Sequence, residues 1–219
     1  RRNRKMIDIA IYGAGGFARE MFWMLNSFLD SQYRVISFVV DNKYYNSSPK
    51  DIYGIPVRRE DYLLDYPSHV GIVMAIGSND ARQEIYNRFK DFEWVSFPVV
   101  VHPSTIIAPD VEIGEGTIIR GSSLLSVNVK VGRGVILNGS TNLGHDVTIG
   151  DFCSVMPRST ISGNVTIKDK TAIGAMSFIL EKKTIGSNTV VAPGSVVLRN
   201  FPDNVIVMGN PAKIYLSKK

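Results

Sequence analysis

The sequence has 219 residues, 44% of them hydrophobic and 21% charged, and a net charge of +5. That is enough chain for one large domain or two small ones, with enough apolar residues to build buried cores. No apolar run approaches the roughly 18 residues that a bilayer crossing needs, so a membrane-spanning helix is excluded. Cys153 is the only cysteine, which excludes an internal disulfide and a cysteine metal cluster. A reducing, cytoplasmic location is the plain expectation. The N-terminal stretch Arg1–Lys5 is basic but leads into a strand pattern with no small-residue cleavage site. No secretory signal is expected there, and Met6 is a possible start. The basic residues gather at the termini and in short groups such as Lys168/Lys170 and Lys182/Lys183. They form no aromatic-interleaved stripe, so nucleic acid is not an expected partner, whereas a phosphorylated small ligand suits modest basicity.

In chain order, the apolar run Ile7–Tyr12 predicts a strand that ends in Gly13-Ala-Gly-Gly16. An amphipathic segment from about Phe17 to Leu29 predicts a helix, and Val35–Val40, closed by Asp41-Asn42, a second strand. Strand, glycine turn, helix and strand make a βαβ unit. A third run, Val70–Ile76, ends in Gly77-Ser-Asn79, before a helical stretch from Asp80 to about Phe89 and a last strand over Trp94–Val99. Residues 1–100 are expected to form a small parallel, Rossmann-like α/β domain.

The period then changes to six. From Ile107 through Ile113, Ile119, Leu125, Val131 and Leu137 to Val197, every sixth residue is Ile, Leu or Val. Four places further on, from Val111 to Ser195, stands a small residue, such as Thr117, Thr141, Val147, Cys153 or Ser177, with Lys183 the one large exception. Glycine often follows the aliphatic residue, as at Gly132, Gly144 and Gly174. Neither a helix nor a hairpin has this period, but a triangular coil does. Each hexad gives one short strand and one corner, and three hexads give one turn of a parallel β-helix. Residues 101–219 are therefore expected to form such a helix of about five coils, with a C-terminal extension. The aliphatic residue points inward, a small one turns in at the corner, and glycine supplies backbone freedom beside it.

One stretch interrupts the monotony: Asn142-Leu-Gly-His-Asp-Val-Thr-Ile-Gly-Asp-Phe152. His145 stands two places after an inward leucine, at an outward corner position where packing needs no histidine. An imidazole titrates near neutral pH and suits a general base. Asp146 beside it is placed to accept from one ring nitrogen and fix the tautomer. A solvated surface histidine is the alternative. Gly163 lies one coil along the same edge, its bare backbone N–H approachable by an oxyanion, though a corner-making glycine is an equally compatible reading. The adjoining edge carries Gly139, Pro157, Ala175 and Pro193, all compact. At roughly 4.8 Å per coil they give about 15 Å of narrow wall, suited to a slender, extended ligand.

Gly13-Ala14-Gly15-Gly16-Phe17-Ala18 fits G-x-G-x-x-A between a strand and a helix, an anion-binding arrangement. On its own this fingerprint suggests a nicotinamide cofactor. The domain is short for a full dinucleotide fold, and no separate catalytic domain for hydride transfer follows. Asp41 and Asn79 end strands on the same carboxyl edge, as ligand contacts or as ordinary strand-end caps.

Taken together, the hexads, Gly13-Ala-Gly-Gly16, Ala75-Ile-Gly-Ser-Asn79, His102-Pro-Ser104, Gly144-His-Asp146 and Gly209-Asn-Pro-Ala-Lys213 resemble the bacterial nucleotide-sugar acetyltransferases of the NeuD/PglD type. The resemblance covers nearly the whole chain. It implies a left-handed β-helix and a homotrimer with acetyl-CoA between neighbouring helices. The reaction implied is acetyl transfer from acetyl-CoA to the amino group of a nucleotide-linked amino-deoxy sugar, in the synthesis of surface-glycan precursors. Acetylation of a sugar hydroxyl, as in sialic acid O-acetylation, is the nearest alternative. By resemblance, His145 is the base and Asp146 its orienter. The family more often has glutamate at that place, which leaves direct contact or a bridging water open. Gly163, Ala175 and Pro193 match positions near acetyl-CoA, and Ser154 stands where relatives can carry a second histidine. Lys182, Lys183 and Lys213 are candidates for the CoA phosphates. The glycine loop Gly13–Gly16 would hold the diphosphate of the sugar nucleotide, with Asp41 and, more weakly, Asn42 and Lys43 beside the ribose or base. Asn138 matches an asparagine near the sugar, or is a stacked structural residue. No metal and no membrane partner is expected. A zinc carbonic anhydrase on the same helix would need three converging histidines, and only His102 and His145 lie near it. His102 is read as structural and Cys153 as core.

Overall fold

The computed structural model describes residues 6–218, so the basic stretch 1–5 lies outside them. The chain divides into two compact units, one ending at Pro98 and the other beginning at Val99.

The first unit holds β1 (Ile7–Tyr12), α1 (Gly16–Phe28), β2 (Tyr33–Val40), α2 (Asn42–Tyr45), β3 (Asp51–Ile52), β4 (Ile55–Arg59), β5 (Val70–Met74), α3 (Asn79–Phe89) and β6 (Val95–Ser96). Its sheet runs in the order β3-β4-β2-β1-β5-β6. β1 pairs in parallel with both β2 and β5, so it is central. Its residues Ile9–Tyr12 are accordingly buried without a break, as a doubly covered parallel strand must be. From β1 the chain winds first to β2 on one side and later to β5 on the other. That reversal leaves a crevice beyond the carboxyl ends of β1, β2 and β5. The sheet is mixed rather than wholly parallel, because β3 and β4 pair as an antiparallel hairpin that the apolar pattern does not reveal. The final strand is also shorter than expected. Pro98 has no N–H to continue the ladder.

The second unit is a left-handed parallel β-helix. Strands beginning at Val100–Val101, Ile106–Ile107 and Glu112–Ile113 seed three sheets, and each later coil pairs in register with the residue eighteen earlier. The first sheet ends in an antiparallel hairpin, Val205–Gly209 with Ala212–Ser217. The aliphatic stack forms the core: Ile119, Leu137, Leu143, Val155, Ile173, Val191 and their fellows are sealed from solvent. Ile107 and Ile113, in the first coil, are only partly buried. Cys153 is buried, as read.

Two details of the corners go beyond the hexad rule. The small inward residues that carry hydroxyls are buried, and most of the hydroxyls donate to a carbonyl: Thr117 to Gly132 O at 2.8 Å and Ser159 to Gly174 O at 2.8 Å. A buried hydroxyl without such a partner would be costly. Backbone freedom, moreover, is not where the sequence suggested. Positive φ recurs at every sixth residue from Gly116 through Ser122, Asn128 and Asp146 to Gly194, three places after the aliphatic residue. The glycines one place after it serve close approach instead. A Cβ on Gly144 would stand 2.7 Å from Gly163 N on the next coil.

The outward positions of two faces are unlike. The second sheet shows Ile106, Leu124, Asn142, Thr160, Phe178 and Val196, whereas the third shows Glu112, Lys130 and a row of threonines, Thr148, Thr166 and Thr184.

Candidate functional site

The corner between the second and third sheets carries His145. Asp146 takes φ 60 there, a left-handed turn that aspartate tolerates better than most residues. The turn swings its carboxylate back toward its own neighbour, and Asp146 Oδ2 lies 2.7 Å from His145 Nδ1. The short side chain therefore reaches the ring directly. Asp146 Oδ1 accepts from Asn128 Nδ2 at 2.6 Å. The hydrogen bonds from His145 and then Asn128 hold the Asp146 carboxyl below its usual range. An ionised carboxylate only accepts, so the shared hydrogen sits on Nδ1 and Nε2 is left with its lone pair.

That nitrogen lies over Gly163 on the next coil. A Cβ on Gly163 would stand 2.5 Å from His145 Nε2, so no side chain is compatible with the ring where it is. The bare Gly144 below keeps the Gly163 amide uncovered in the same way. His145, Asp146, Asn128, Gly163 and Gly144 thus make one cluster: an oriented ring nitrogen over the side-chain-free Cα of Gly163. The imidazole is more than half exposed and faces outward.

The remaining β-helix candidates sit elsewhere. Gly139, Pro157, Ala175 and Pro193 stack on the corner between the first and second sheets, separated from His145 by the width of the second sheet. They present a run without long side chains, compatible with a slender ligand. Asn138 is on that same corner, where its Oδ1 accepts from Arg120 Nη1 at 2.9 Å. Within one chain it does not meet His145. Ser154 is 1% exposed, on a strand of the first sheet, and is not part of the His145 cluster. His102 is structural: its Nδ1 accepts from Ser104 N at 3.1 Å.

In the first unit, a cleft of about 590 Å³ opens at the carboxyl ends of β1, β2 and β5. Gly13, Ala14, Gly15 and Gly16 line it, with Asp41, Lys43 and Tyr44 on one side and Gly77, Glu84 and Arg88 on the other. Gly13 adopts φ +128, and a Cβ there would stand 2.8 Å from Ala75 O, so two requirements fix glycine at this place. Helix α1 starts at the cleft with Gly15 as its N-cap, no side-chain cap and no acidic residue in its first turn. Its opening amides and the positive end of its dipole suit an anion.

Asp41 lies in the cleft, its Oδ1 accepting from Lys43 N at 3.0 Å and its Oδ2 3.8 Å from Arg88 Nη1. Asn42 and Asn79 are not among its lining residues. Asn42 Nδ2 donates to Asp61, and Asn79 Oδ1 accepts from the fully buried Arg82, whose other bonds hold the carbonyls of Ile76 and Gly77. Both asparagines shape the loops of the cleft rather than its wall. Sequence reasoning missed Arg88, Glu60 and Tyr12. Arg88 is ion-paired with Glu60, whose Oε2 also accepts from Tyr12 Oη at 2.7 Å. Burial pulls the Arg88 guanidinium down, but the hydrogen bond and charge of Glu60 outweigh it and raise it overall. Burial, then Glu60, pushes the Tyr12 hydroxyl far up, so it stays a donor. Only their apolar surroundings stand out in the sequence, because the partners are far apart along the chain.

Among the described residues no three His, Cys, Asp or Glu side chains gather as a metal site, and no helix is long and apolar enough to cross a membrane.

Comparison with known proteins converges on one group. Residues 8–89 match the family model for the PglD N-terminal domain. The curated UDP-N-acetylbacillosamine N-acetyltransferase of Bacillus subtilis is 29% identical over 118 residues, 52% of this chain and 51% of that protein, so the match spans about half of the relative's length. PerB of Caulobacter crescentus, solved with CoA and GDP-perosamine, superposes with a TM-score of 0.84 at 27% identity, covering 97% of this chain and 99% of that one. The acetyltransferase domain of PglB from Neisseria gonorrhoeae, solved with acetyl coenzyme A, gives 0.85 at 26% identity, covering 96% of this chain and 100% of that one.

Proposed function

Since the chain belongs to the NeuD/PglD type, we propose that it transfers acetyl from acetyl-CoA to the amine of a nucleotide-linked amino-deoxy sugar, with His145 as general base. The observation that carries this reading is the imidazole itself, tied at Nδ1 to Asp146 with Nε2 over the side-chain-free Cα of Gly163. The sugar nitrogen attacks the thioester carbonyl and gives its proton to Nε2. Asp146 steadies the imidazolium as it forms. Gly163 N–H donates to the developing oxyanion. Collapse of the tetrahedral intermediate expels the CoA thiolate, which takes the proton from the imidazolium, and the amide product remains.

Acetyl-CoA would supply the acyl group, its pantetheine arm running beside Ala175 and Pro193 on the compact corner. Because that corner and His145 lie at opposite edges of the second sheet, a groove completed by a second copy brings arm and base together better than one chain does. The apolar outward row Ile106, Leu124, Phe178 and Val196 supports assembly through that face, in a homotrimer. Ser154 is assigned no contact, and Lys182, Lys183 and Lys213 are solvated lysines available to phosphates.

The cleft of the first unit favours a carrier-linked sugar over a free one. In this reading the Gly13–Gly16 loop and the start of α1 hold the diphosphate, and Asp41 reads the ribose or base. Asn138, held by Arg120, serves the corner. Such a product would enter surface-glycan synthesis. The test is to incubate the protein with acetyl-CoA and a panel of UDP-, dTDP- and GDP-linked amino sugars, following thiol release and product mass. One member should turn over to an amide. Turnover only of free sugars, or ester formation on a hydroxyl, would refute it.

A further inference from the structure

From the side chains that climb the corner beside the imidazole, we infer that Asn128 is a positioning residue for the acetyl transfer, its carboxamide fixing Asp146 so that Asp146 fixes His145. This rests on the reading of His145 as base. Asn128 stands one coil before Asp146 and, like it, takes a left-handed φ, here 55. Its own N–H donates to Asp110 Oδ2 at 3.0 Å, which anchors the residue from the coil before. Its Nδ2 donates to Asp146 Oδ1 at 2.6 Å, and Asp146 Oδ2 meets His145 Nδ1 at 2.7 Å. Three coils are thereby joined in one line of hydrogen bonds that ends at the basic nitrogen.

The physical need is plain. The Asp146 side chain is 40% exposed, so nothing packs it into one rotamer. A carboxylate held by a single donor can turn and trade that donor for water. Held at each oxygen by a different donor, it keeps one orientation. The ring it holds then cannot flip to present Nδ1 in place of Nε2. Asparagine is suited to the post because its amide group can donate, where aspartate would oppose one carboxylate to another. Along the two neighbouring columns the titratable and charged groups are Asp110, Asp146, His145, Glu181, Lys182 and Arg199.

The test compares Asn128→Gly, Asn128→Asp and His145→Ala with the parent. Glycine favours positive φ, so Asn128→Gly removes the carboxamide without backbone strain. We expect kcat to fall roughly tenfold in Asn128→Gly, with both KM values within about twofold and the melting temperature retained. In Asn128→Asp the added negative charge should favour the imidazolium and move the acid limb of kcat/KM to higher pH, while the kcat loss of Asn128→Gly at retained KM and melting temperature is the readout that a merely structural role would not give. Parent-like kcat and pH profile in both Asn128 variants, with His145→Ala inactive, would overturn the role of Asn128 alone. A fully active His145→Ala would instead overturn the reading on which it rests.

Discussion

At the scale of single residues, chemistry is set by what each side chain is tied to. Asp146 is the clearest case. Its pKa is held below the ordinary carboxylate value, so its stabilising bonds are fully present above that value and are lost only as pH falls through the lower, folded one. Between neutral pH and the ordinary carboxylate range it stays ionised, so it should add no protonation step of its own to the acid limb of kcat/KM. A second protonation step within that window would contradict this. Gly163→Ala tests the other side of the ring. The new methyl would stand 2.5 Å from Nε2, so the ring must move. At least a tenfold loss of kcat is expected, on the order of what small misplacements of a reacting group cost, with nucleotide binding by calorimetry unchanged. His145 and Asp146 were legible because they break a repeat whose outward corners need neither. Asn128 was not, because its partner lies eighteen residues on and asparagine is common wherever φ is positive.

Elements show a different balance. The β-helix was legible hexad by hexad, because an inward aliphatic residue at fixed spacing has no other use. What the spacing could not tell was which corner position needs the left-handed turn and which needs the absence of a Cβ. Gly144 belongs to the second kind, although it looks like the first. Gly144→Ala would push a Cβ against Gly163 N at 2.7 Å and Ser162 C at 3.0 Å, backbone atoms that cannot swing aside. Overpacking of this kind costs about 1–3 kcal/mol, so chemical denaturation should show a clear drop in stability. A midpoint equal to the parent's would mean that the coils are looser than they stand here. The β3–β4 hairpin escaped notice for the opposite reason. It pairs only Asp51 with Pro56 and Ile52 with Ile55, and its turn residues Tyr53 and Gly54 both have positive φ. The two-residue β3 carries no periodicity, and tyrosine is an unusual choice for such a turn.

For the whole molecule, the proposed two-substrate reaction would divide its labour between the units: one has a cleft at the start of α1, the other an imidazole tied to Asp146. The cleft's existence was legible from the glycine loop, but its composition was not. Asp41 lies in it, Asn42 and Asn79 do not, and Arg88 arrives from a helix whose sequence reads simply as amphipathic. In the proposed reaction, assembly would bring together His145 and the compact corner, which lie at opposite edges of one face of a single chain. On the proposal that this face joins three copies, Leu124→Glu should give a monomer in sedimentation velocity where the parent sediments as a trimer, and remove acetyl transfer together with assembly. A monomeric but fully active variant would place the whole site in one chain. The most direct measurement remains thiol release at saturating acetyl-CoA and sugar nucleotide, parent against His145→Ala. Loss of a general base should lower kcat by about 10²–10⁴-fold while the affinity for the sugar nucleotide stays the same. Release at the parent rate would show that the imidazole over Gly163 is not the group that takes the proton.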